Sequence, residues 1–110
     1  GLALANDITY DMEYIRGYLP VHNHEAAYET VKQAANELHL RFNESELMMI
    51  GEDFSHYLKV RPGAFFLTGC GNADKGITAP HHNPHFDIDE AAFKYAASEF
   101  LKILELESVF

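Results

Sequence analysis

Three short apolar runs alternate along this chain with three segments of helical period, and that order constrains the fold more than any other feature. In residues 8–14, Ile8, Tyr10, Met12 and Tyr14 share one side while Thr9, Asp11 and Glu13 share the other, the period of two of a strand with one buried face. Residues 24–39 read as a helix, with Asn23 as its cap, Glu25 in its first turn and Ala27, Val31, Ala34, Ala35 and Leu38 on an inward face. Leu47 to Ile50 is a continuous apolar run of the kind found in strands covered on both faces. Phe54, Tyr57 and Leu58 then predict a short helix from about residue 52 until Pro62 and Gly63 break it. Residues 64–68 form a third strand-type run, and 69–86, with three glycines and two prolines, reads as one long loop. Asp87 followed by Glu90 has the spacing of a reciprocal helix cap, and Phe93, Ala96, Ala97, Phe100, Leu101 and Leu104 mark a broad inward face beyond it. The expectation is an α/β fold, β-α-β-α-β-α, with a partial, mostly parallel sheet and right-handed crossovers.

Size and charge narrow the function. A chain of 110 residues supports one modest core. With 17 acidic against 8 basic residues the formal net charge is -9, which repels polyanions, so nucleic acid and anionic membrane surfaces are excluded as partners. No apolar run approaches the roughly 20 residues that a bilayer span requires. Cys70 is the single cysteine, so no internal disulfide is needed and a cytoplasmic setting is expected. Residues 1–7 read as the end of a helix, and Gly1 in place of Met fits a fragment and a trimmed expression tag equally.

Chemistry concentrates in Pro80-His81-His82-Asn83-Pro84-His85-Phe86, three imidazoles within five residues ahead of the last helix. Neutral imidazole ligates zinc and similar divalent ions, and the flanking prolines limit the freedom that binding removes. A histidine-rich solvated loop is the plain alternative, and a metal held there for structural reasons is another. Gly51-Glu52-Asp53 opens a helix, where either carboxylate can serve as a helix-start acceptor. Cys70 between two glycines reads as a small residue in a tight turn, His39 and His56 as helix-surface residues, and Ser55 and Ser98 lack a nucleophile-elbow context.

Four segments together carry a more specific signal: Arg16-Gly17-Tyr18-Leu19-Pro20-Val21-His22-Asn23; Gly51-Glu52-Asp53-Phe54-Ser55; Pro62-Gly63-Ala64-Phe65-Phe66 with Gly69-Cys70-Gly71-Asn72; and His81 through Glu90. In this order the chain resembles the C-terminal end of M20-family amidohydrolases, in the branch of hippurate hydrolases, N-acyl-amino-acid deacylases and auxin-conjugate hydrolases. Gly51 stands where that family usually has serine. The resemblance implies a parent that hydrolyses N-acyl amino acids with divalent metal (zinc, manganese, cobalt or nickel) and dimerises through a lid domain. It further implies that residues 1–18 end the lid, 19–23 form the hinge and 24–110 complete the catalytic domain. His82 then matches the C-terminal metal ligand, and Gly51, Glu52 and Asp53 lie near the substrate pocket.

The family's upstream His-x-x-Gly-His-Asp segment and Glu-Glu pair are absent from these residues. The isolated chain is therefore expected to bind no metal pair, to lack catalytic residues of its own, to be inactive and to self-associate. The competing expectation is a free-standing acidic α/β interaction module that recruits partners through its first strand.

Overall fold

The computed structural model describes residues 1–108. Its regular elements are helices α1 (Leu2–Ala5), α2 (Glu25–Glu37), α3 (Ser55–Val60) and α4 (Ala91–Leu106), with a single 3-10 turn at Ala73–Lys75. The expected β-α-β-α-β-α sheet is not formed. Among the described residues the only β pairing is an isolated antiparallel bridge between Asn72 and Ile77.

The reason is visible in the exposed side chains. Leu47 and Met49 are 102% and 101% exposed, and Ile8, Tyr10, Met12 and Tyr14 are exposed as well. A period of two and a short apolar run describe where side chains want to be, but a strand exists only through a ladder partner on another segment. The described residues provide no such partners for 8–14, 47–50 or 64–68. The chain is accordingly extended, with a radius of gyration of 20.1 Å where about 13 Å is usual for this length. Its accessible surface of 9778 Å² compares with about 6,100 Å² for a compact monomer of this mass.

What packing there is centres on α2. Val31, Ala34 and Ala35 are buried, the face that the 3.6-residue period selects. Helix α2 stops two residues short of His39 because Leu40 N–H donates to the Ala35 carbonyl at 2.9 Å and His39 N–H to that of Asn36 at 3.0 Å, with His39 left-handed at φ 55°. This reversal is a Schellman C-cap with histidine in the position glycine prefers. Asn23 does not cap the helix; His24 is the N-cap residue, without a side-chain bond to the helix's own N–H groups. Instead the Asn23 amide pairs in both directions with the backbone of Phe65, Nδ2 donating to the carbonyl at 2.9 Å and Oδ1 accepting the N–H at 2.8 Å. His24 N–H donates to the Gly63 carbonyl at 3.0 Å, and Gly63 N–H donates to His24 Nδ1 at 3.2 Å. Four hydrogen bonds thus fasten residues 63–65 beside the start of α2.

Helix α4 lies against α2, but not with the face its apolar pattern marks. Ala92 and Glu99 are buried, while Phe93, Phe100 and Leu101 are 58–60% exposed. Lys102 Nζ bridges the helices at their far end, 3.5 Å from Glu37 and 2.7 Å from Glu105. The Asp87–Glu90 cap is likewise not formed. Asp89 accepts the Ala91 N–H at 3.2 Å, and Asp87 bonds only the adjacent Ile88 N–H. Glu99 has both carboxylate oxygens buried without a hydrogen-bond partner.

Two predictions follow from this packing. Asn23→Ala removes both amide bonds to Phe65 and should cost about 1–3 kcal/mol, read as a lower urea midpoint. The second concerns Glu99, whose carboxyl burial pushes above the ordinary range. The docked helices therefore favour the protonated acid, and no penalty exists below the unfolded pKa. The penalty grows as pH rises from there toward the raised native value and is complete above it. Glu99→Gln keeps the shape without the charge, so at pH 7 it should melt at a higher temperature than the parent chain. Thermal melts of the two proteins should coincide near pH 3, where both side chains are neutral.

Candidate functional site

The histidine loop is closed at its base before it reaches its tip. Asn72 and Ile77 exchange two backbone hydrogen bonds of 2.9 Å, and the 3-10 turn between them is finished by Gly76 at φ 73°, a left-handed position that glycine occupies without strain. The Asp89 carboxylate then gathers this hairpin to the start of α4. It accepts from Asn72 Nδ2 at 2.6 Å and Lys75 Nζ at 2.8 Å, while Asp89 N–H donates to the Cys70 carbonyl at 2.8 Å. Bonds from Lys75, Asn72 and the Ala91 N–H hold its pKa down at about 2. The clasp therefore keeps its charge at any ordinary pH.

At the tip, Asn83 N–H reaches back to the Pro80 carbonyl at 3.3 Å, and His82 has φ 63°. Positive φ at the third position of a four-residue turn is the geometry of a type II turn, where glycine is usual. A side chain there costs about 1–2 kcal/mol. Asn83 secures the turn from the other side, its Oδ1 accepting His85 N–H at 2.9 Å and its carbonyl accepting Phe86 N–H at 2.9 Å. His81 packs edge-on against Phe86 with ring centres 4.8 Å apart, and His82 stands 6.5 Å from His81. His82 and His85 are both exposed.

The Gly51-Glu52-Asp53 turn is built differently. Glu52 is half-buried, and its Oε1 accepts the Phe54 N–H at 3.1 Å, the helix-start use of such a carboxylate. Asp53 is exposed and contributes its carbonyl to the His56 N–H at 2.9 Å. A Cβ on Gly51 would come within 3.2 Å of the Tyr18 ring, so this glycine permits the close passage of residue 18. Among the described residues no three His, Cys, Asp or Glu side chains are grouped to hold a metal ion. A complete metal centre does not fit this chain's own donors; His82 is a single exposed imidazole.

The residues that sequence reasoning missed are those holding the loop: Asn72, Lys75 and Asp89. The last two differ by 14 positions, and no local period signals such a pairing.

Comparison with known proteins decides the family, because residues 6–106 match the Peptidase family M20/M25/M40. The chain belongs to that family. It is 33% identical over 99 residues to the putative amidohydrolase YhaA of Bacillus subtilis, covering 88% of this chain and 25% of that protein. Against IAA-amino acid hydrolase ILR1-like 6 of Arabidopsis thaliana it is 32% identical, over 80% of this chain and 19% of the relative. Against N-acetyldiaminopimelate deacetylase of Pediococcus pentosaceus the identity is 30%, over 81% and 22%. The M20 chain thus spans about a quarter or less of the length of these curated relatives. No solved structure matches it. No helix among the described residues is long and apolar enough to cross a membrane.

The turn yields a test that separates strain from ordinary loop flexibility. His82→Gly relieves the left-handed backbone but adds unfolded-state entropy, so it should be neutral to stabilising within about 1 kcal/mol. His85→Gly, where no positive φ is relieved, should destabilise by about 0.4–1 kcal/mol. Denaturant midpoints of the two variants check the contrast.

Proposed function

We propose that this M20 chain forms the C-terminal part of a metal-dependent amidohydrolase acting on the amide bond of N-acyl amino acids. The observation that carries the proposal is the turn at His82: an exposed imidazole held on a left-handed backbone at a place where glycine would cost less. Backbone strain of this kind clusters at functional sites, and unlike the left-handed His39, which closes the end of α2, His82 lies in the histidine loop whose residues carry the family resemblance. In this reading His82 donates one nitrogen to a divalent metal centre completed by groups outside these 110 residues, and His81 and His85 shape the loop.

Residues 1–18 are read as the end of a lid through which the complete protein dimerises, 19–23 as a hinge, and 24–110 as the close of the catalytic domain. Gly51, Glu52 and Asp53 are assigned to the wall of the substrate pocket, Glu52 by fixing the turn through its bond to the Phe54 N–H. The names of two relatives, an IAA-amino acid hydrolase and an N-acetyldiaminopimelate deacetylase, favour amide substrates. A cytoplasmic setting accords with the lone cysteine.

The test has two arms. The purified chain, supplied with zinc, manganese, cobalt or nickel, should release no free amino acid from N-acetyl or N-benzoyl amino acids; turnover by the chain alone would overturn the reading. In the complete gene product, His82→Ala should lower activity at least about 100-fold and weaken metal retention. His85→Ala should stay within about threefold, about the effect of losing one modest contact.

A further inference from the structure

Helix α4 presents two faces, and only one of them is covered. Ala92 and Glu99 are buried. Phe93, Ala97, Phe100 and Leu104 are all exposed, and at 3.6 residues per turn they fall within about 60° of one another, roughly 120° round the helix from the buried pair. Their alternating four- and three-residue intervals are those of a coiled-coil seam. Two features of the seam select its occupant. The first is size. Laid antiparallel against a copy of itself, the seam sets Phe93 on Leu104 and Ala97 on Phe100, so each ring faces a smaller side chain; a parallel pair would set ring on ring and alanine on alanine. The second is charge. Lys94 is exposed and makes no ion pair among the described residues, and the Glu105 side chain is 67% exposed. Both stand on the same flank of the seam. In the antiparallel pair Lys94 of one helix and Glu105 of the other come within about 3 Å of the same level along the axis, and the match occurs twice; a parallel pair places like charge beside like.

We propose that α4 is the contact of a twofold-symmetric dimer, its occupant a second copy of this chain paired antiparallel along Phe93, Ala97, Phe100 and Leu104. A patch serves a twofold axis only if it is complementary to itself, and this one is so in both size and charge. The 16-residue helix is about 24 Å long, so the interface is smaller than the standard of about 1,600 Å² and the dimer is reversible. The contact is separate from residues 1–18 and uses no residue assigned to metal or substrate, so it stands or falls apart from the hydrolase reading.

Sedimentation velocity of the purified chain between about 10 µM and 1 mM tests it. Monomer should give way to dimer and to nothing larger. Ala97→Lys, an exposed change to another good helix former, should raise the dissociation constant at least about tenfold while leaving circular dichroism and Tm at about 10 µM unchanged. Lys94→Glu should raise it about threefold to tenfold, and adding Glu105→Lys should bring it back to within about threefold of the parent. In a parallel pair neither charge change matters, since like faces like before and after. A monomer at every concentration, the result if the seam is kept for another part of the complete protein, would overturn the proposal. So would growth beyond the dimer, undiminished affinity in Ala97→Lys or Lys94→Glu, or a charge-swapped double variant no tighter than Lys94→Glu.

Discussion

The two-way bond between the Asn23 amide and the backbone of Phe65, with the His24–Gly63 pair beside it, organises most of what is folded in this chain. It joins positions 42 residues apart by letting one side chain imitate a strand neighbour. With that segment in place, Phe65 meets Phe54 at 5.4 Å and Phe66 meets Phe100 at 5.3 Å, so α3 and α4 are each reached from the same short stretch. A sheet would distribute such links over many residues; here they rest on one amide and one imidazole.

The disposition of α4 shows the other side of this economy. Its aromatic face remains wet, and the residues it buries are Ala92 and the unpartnered Glu99. Lys102, the nearest cation along the helix, is already held by Glu37 and Glu105. Dispersion between small side chains is thus set against the desolvation of Glu99, and the helix pair is only modestly secured.

The helices were legible because their signals are local. The buried set Val31, Ala34 and Ala35 is the one that the 3.6-residue period selects, and Gly63 following Pro62 places the end of α3 within two residues. The strands were not, because alternation in 8–14 and the apolar run 47–50 report a preferred environment and say nothing of who pairs with them. Caps failed for a related reason. Asn23 and Asp87 have the right chemistry for helix starts, but Asn23 is claimed by a distant backbone and Asp89 stands closer to the first free N–H. At the candidate site the histidine cluster was evident in the sequence, whereas the left-handed turn and the Asp89 clasp depend on contacts that no spacing encodes.

Because His82 sits on a left-handed backbone inside a hydrogen-bonded turn, the direction in which its Cα–Cβ bond leaves the loop originates in main-chain torsions. Such a turn can be carried as a unit: moving residues 80–86, which contain the Asn83 bonds that close it, into another scaffold would transplant the imidazole's point of departure along with its chemistry.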